Sequence, residues 1–110
     1  MKIKTLARLT LSLLGLALSA LAQAQGDGGK EALYVKSLAA TCANGHGTDG
    51  KAVAGSSVSS LAGLEASYIV AQMKAFKAGT RPATVMQQLG KGFNDAQVEA
   101  LAAYFAAQKK

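Results

Sequence analysis

The 110-residue chain has one cysteine, one histidine, one proline, no tryptophan, and only three phenylalanines and three tyrosines. A single thiol rules out an internal disulfide, the usual reinforcement of small exported domains. A single imidazole rules out a blue-copper centre, which needs two histidines. So few aromatic rings leave little bulk for a core, and no stretch shows the alternation of a β-strand. No internal repeat is present. The one long hydrophobic run, Leu9 to Leu21, is shorter than the roughly 20 residues of a lasting membrane span.

That run belongs to a three-part leader. Lys2, Lys4 and Arg8 form a basic start, the apolar stretch follows, and Ala22-Gln23-Ala24 offers a small-x-small cleavage site. Residues 1–24 are therefore expected to be a signal peptide, cut near Ala24 or Ala22, with residues 25–110 exported to the periplasm as one domain. The leader carries three of the twelve basic residues and none of the six acids, so the net charge falls from +6 to +3. This modest excess does not point to a nucleic-acid partner. A domain this small sits only slightly above the range, about 70 to 80 residues, in which side chains alone rarely build a sufficient core. A large apolar prosthetic group would supply the missing volume; the alternative is a helical domain packed on alanine and leucine.

Beyond the glycine-rich lead-in of residues 25–29, Val35, Leu38, Ala39 and Cys42 recur at i, i+3, i+4 and i+7, which predicts a helix from Lys30 with Cys42 on its inward side. Residues 44–50 hold three glycines in seven positions and predict a loop. Residues 51–63 read as an irregular connection with Val58 and Leu61 tucked inward. A second helix is expected from Glu65 to Ala78, on the stripe Ile69, Met73 and Phe76, with Gly79 as a left-handed cap and Pro82 beyond it. Residues 80–93 read as loop, with at most a short turn around residues 85–89. The last helix is the clearest: Asn94 as N-cap, Gln97 three residues on to close a capping box, Asp95 at the positive end of the dipole, and Val98, Leu101, Ala102 and Phe105 on one face.

The chemistry-bearing side chains gather in residues 41–47. Cys42 and His46 stand four positions apart, and Met86 follows forty residues after the histidine. The segment reads as a haem-attachment signature, C-x-x-C-H, with Gly45 at the second thiol position. Met73 competes with Met86 as a sulfur ligand, but it lies on a helical stripe where methionine usually fills core gaps. For Cys42 the plain alternative is a small buried apolar residue, and for His46 a solvated loop residue.

A thiol and an imidazole at the end of a first helix, with a methionine between a second and third, resemble a class I c-type cytochrome. The likeness is to the cytochrome c subunit of flavocytochrome c sulfide dehydrogenase and to cytochrome c4 domains. It is carried by residues 39–44 with His46 to Gly50, by residues 61–64, by the run from Tyr68 to Arg81, and by residues 84–86, 92–95 and 101–105. The resemblance implies an all-α, small cytochrome c-like fold with three main helices around one haem. It implies His46 and Met86 as axial ligands of the haem iron, Cys42 as the covalent attachment point, and electron transfer without independent catalysis. Partners would be redox proteins, including a flavoprotein subunit. Similar proteins carry a second cysteine where Gly45 stands, so at most one thioether can form, giving haem c a single tether. They also commonly carry a proline whose carbonyl accepts the histidine ring N–H; here Ser59 or Ser60 must supply it.

Two other functions remain in view from sequence: copper binding through Cys42, His46 and Met86, and a haemless interaction domain. Lys74, Lys77, Arg81 and Lys91 form either a docking surface for an acidic partner or an ordinary solvated face.

Overall fold

The computed structural model describes residue 26 and residues 28–110. The expected signal peptide lies outside the described residues. The chain divides into two compact units, Met1–Leu33 and Tyr34–Lys110. In the first, residues 28–33 are helical; the second contains every element that follows.

Helix α1 occupies residues 34–40 of the second unit. Its predicted face is the inward one: Ala39 is buried, and Leu38 and Cys42 pack against the same core. The helix tightens as it ends, with the Thr41 hydroxyl and amide both donating to the Leu38 carbonyl, at 2.7 and 3.1 Å. A single turn, α2 (Ala43–His46), follows directly, then a 3-10 turn over Thr48–Gly50.

Helix α3 runs from Ala66 to Ala78, one residue after the predicted start, with Glu65 extended at its N-cap. Ile69 is buried and Met73 packs on the core, as the stripe required. Gly79 closes the helix in the left-handed conformation, its N–H directed to the Ala75 and Phe76 carbonyls. The short turn expected near residues 85–89 is instead a helix, α4 (Met86–Lys91). Buried Gly90 brings its backbone onto α3: a Cβ there would sit 3.6 Å from both Lys77 N and Met73 O.

Helix α5 (Asp95–Ala106) starts on the predicted capping box. Gln97 N–H donates to Asn94 Oδ1 at 2.8 Å, and Asn94 N–H donates to Gln97 Oε1 at 3.0 Å. The remaining Gln97 Nε2 donates to the Tyr34 hydroxyl at 2.8 Å, tying α5 to α1. The architecture is all-α, with no strand among the described residues.

The core is small. Its fully inward members are Ala39, Ala62, Ile69, Val98, Leu101, Ala102 and Phe105, three of them alanine, and Phe105 is the one large side chain completely enclosed among the described residues. Leu61 packs on this core as expected. Val58 does not: it is 38% exposed, with its Cγ1 3.9 Å from where a Cβ on Gly45 would sit.

Candidate functional site

Turn α2 places Cys42 and His46 one helical turn apart, and the His46 amide closes the turn on the Cys42 carbonyl at 2.9 Å. Residues separated by four in a helical turn share a face. Cys42 is a half-buried free thiol. Burial pushes its pKa above the ordinary thiol value, and the hydrogen bond with Thr41 only partly opposes this.

The His46 ring is oriented by the backbone: its Nδ1 lies 2.6 Å from the Ser59 carbonyl oxygen. A carbonyl can only accept, so Nδ1 carries the proton and donates, and the neutral ring keeps its lone pair on Nε2. This arrangement prepares an imidazole to ligate a metal through Nε2. Of the two serines expected for the role, Ser59 takes it. Ser60 uses its side chain instead, accepting from Ala52 N–H at 2.9 Å and holding the connection beside the histidine.

The segment after His46 can fold this way only with glycine at two positions. Gly47 has φ 83°, and a Cβ there would collide with the Lys51 carbonyl. Gly50 has φ 77°, and a Cβ would lie 2.8 Å from the Phe105 ring. The Gly50 carbonyl accepts from both Leu61 N–H and Ala62 N–H, at 2.7 and 3.1 Å, which registers the Ser59 stretch against the histidine turn. Between these glycines, Asp49 adopts a positive φ of 55° and accepts a 2.5 Å hydrogen bond from the Tyr104 hydroxyl. That hydrogen bond raises the Tyr104 pKa, with burial and the Asp49 charge adding to it.

Gly45 lies open: a Cβ there would meet only Val58 Cγ1, at 3.9 Å. Met86 is the half-buried first residue of α4 rather than a loop residue, because Val85 leaves the extended chain one position earlier. Met73 is partly buried and packs against the core. The strand of chain leading to Met86 is anchored through Arg81. Its guanidinium lies 4.6 Å over the Phe76 ring and bonds Gln72 Oε1, while its carbonyl accepts from Gln87 Nε2 at 3.2 Å. Lys77 donates to the Phe93 carbonyl at 2.7 Å. Lys77 and Arg81 thus each make a contact within the chain as well.

Sequence reasoning missed two elements of the site. The pairing of Asp49 with Tyr104 joins residues 55 apart and left no periodic signal. The Arg81 anchor was hidden because a surface arginine in a helix-following loop usually contacts only solvent.

The donor set fits a c-type haem: one thiol, one imidazole with its outer nitrogen prepared, and a thioether outside the core. Beside Met86, the apolar side chains of Val85 and Leu89 stand 56% and 49% exposed. Among the described residues no three of His, Cys, Asp and Glu cluster as a metal cage.

No protein-family model matches the chain. It is 37% identical over 106 residues to cytochrome c4 of Azotobacter vinelandii, covering 88% of this chain and 48% of that protein. It is 37% identical over 68 residues to the cytochrome subunit of sulfide dehydrogenase of Chlorobaculum tepidum, 62% of this chain and 60% of that one. Against cytochrome c-554(548) of Halomonas halodenitrificans it is 33% identical over 72 residues, spanning 86% of that protein and 63% of its own length. The chain belongs to the class I c-type cytochromes. Membership implies haem c with its iron as cofactor. The cytochrome spans about half the length of the cytochrome c4 relative that it matches. No helix among its described residues is long and apolar enough to cross a membrane.

Proposed function

We propose that the chain is a periplasmic one-electron carrier with a single haem, bound by His46 and Met86 and tethered by one thioether at Cys42. The observation that carries this reading is the Nδ1 hydrogen bond of His46 to the Ser59 carbonyl, which leaves Nε2 as the ligating atom. Met86 is the second ligand because it is the methionine outside the core and its segment is anchored through Arg81 to α3. Haem iron supplies the one-electron chemistry, and a histidine and methionine pair raises its potential. Cys42 is the only thiol that can bond the ring, and Gly45 contributes none. His46 and Met86 would together hold the iron, and the substrate chemistry would then fall to a partner.

The leader over residues 1–24 supports export to the periplasm. Partners are redox proteins, and similarity to a sulfide dehydrogenase cytochrome subunit favours a flavoprotein that would perform the substrate chemistry and pass electrons to this chain. The test is a pyridine haemochrome spectrum combined with denaturing electrophoresis and haem staining. A band position between those of two-thioether and unattached haem, and stain that moves with wild type but not with Cys42→Ser, are expected. Colourless protein, or a copper charge-transfer band, would refute the reading in favour of the haemless or copper-binding alternative. Replacing His46 with alanine should abolish iron binding, and unchanged binding would reject it as ligand.

A further inference from the structure

The histidine turn has few side chains with which to hold itself. Between Gly45 and Gly50 every second or third residue is glycine, and Cys42 is the only available covalent anchor. Two neighbouring residues of α5 take up this task. Phe105, 2% exposed, sits against Gly50, and its carbonyl accepts from Gly63 N–H at 2.9 Å. Tyr104 stands edge-on to the Phe105 ring, with centroids 5.3 Å apart and planes at 84°, which fixes the direction of its hydroxyl. The hydroxyl donates to Asp49 Oδ1, three residues beyond His46.

The turn is also bonded to residues 59–62, through His46 Nδ1 to Ser59 and through the Gly50 carbonyl to Leu61 and Ala62. The turn is thus held by both α5 and the Ser59 stretch. Asp49, held by the Tyr104 hydroxyl, adopts the left-handed conformation, which aspartate reaches more readily than most non-glycine residues.

We propose that Tyr104 and Asp49 are positioning residues for the proximal ligand: their hydrogen bond holds the turn against α5 so that His46 stays on the Ser59 carbonyl with Nε2 directed at the iron. This rests on reading His46 as an axial ligand. A chain with one thioether has more need of such a clamp than one with two, since the ring itself then restrains the turn less.

The test follows exchange of the His46 Nδ1 proton by NMR in the reduced, haem-loaded protein, together with the reduction potential. Tyr104→Phe should speed the exchange by about tenfold, the effect of one lost hydrogen bond to a charged acceptor, and should shift the potential. Asp49→Gly removes the acceptor while tolerating the positive φ, and should do the same. The double variant should exchange no faster than either single one, because both remove one interaction. Asn94→Ala, which weakens α5 at its far end, is the control and should leave the proton at the wild-type rate. An unchanged rate in Tyr104→Phe, additive effects in the double variant, or an equal acceleration in Asn94→Ala would overturn the clamp while leaving His46 as ligand. A wild-type protein with no histidine-ligated haem would instead overturn the reading of the site and the clamp with it.

Discussion

Replacing Gly50 with alanine should destabilise the protein far more than replacing Gly79, although both glycines hold φ 77°. Alanine in the left-handed region costs about 1–2 kcal/mol at either position. At Gly79 nothing lies within 4 Å of the added methyl, so that backbone cost is the whole effect. At Gly50 the methyl would meet Phe105 Cδ1 at 2.8 Å and both Ala62 N and Leu61 Cβ at 3.0 Å. Phe105 is enclosed and cannot swing away, so overpacking should add about 1–3 kcal/mol. The total, about 2–5 kcal/mol, is a large part of the roughly 5–15 kcal/mol that a domain has. Urea unfolding of the haem-loaded variants, with the slope checked for constancy, measures the difference directly. In thermal melts each 1 kcal/mol corresponds to about 4–8 °C for a domain of this size. Equal destabilisation of the two variants would show that the histidine turn is not pressed against α5, and the argument built on that contact would fail.

Other consequences can be checked as simply. Gly45→Cys has room for its side chain and should raise haem retention through purification; unchanged retention would mean that one bond already suffices. The Tyr104 pKa is raised by its hydrogen bond to Asp49, so its contribution to stability is complete below the unfolded tyrosine value, about 10, and is lost as pH rises through the higher folded value. Stability should therefore fall more steeply above pH of about 10 in wild type than in Tyr104→Phe, and parallel curves would refute the assignment. Asn94→Ala removes the N-cap acceptor of α5 and should cost about 1 kcal/mol in urea unfolding, with no effect expected on the haem spectrum.

What could be read from the chain beforehand was whatever repeats locally. The Ile69 and Met73 part of the α3 stripe, the α5 stripe, the Asn94–Gln97 box and the Gly79 cap depend on residues within a turn or two of each other, and each appears as expected, whereas Phe76 turns to Arg81 instead of the core. The candidate donors stood out because the chain has so few: one thiol, one imidazole and a methionine off the helical stripe. Helix α4 was harder to see, since six residues containing two glutamines and a glycine carry no apolar period. Val58 was misjudged because its apolar character implied burial, while the fold leaves it 38% exposed. Lys77 and Arg81 looked like surface charges; only the folded chain brings the Phe93 carbonyl and the Phe76 ring within their reach. Asp49 and Tyr104 pair across 55 residues, a distance at which composition and period are silent.

The Gln97 amide joins two ranges of sequence. Its oxygen and its own backbone N–H close a local box that can form as soon as α5 nucleates, whereas its nitrogen reaches Tyr34, 63 residues earlier in the chain. Closing so long a loop costs more chain entropy than closing the local box. One side chain is thus a starting point for the final helix and also a latch that fastens only when the two ends of the domain have met.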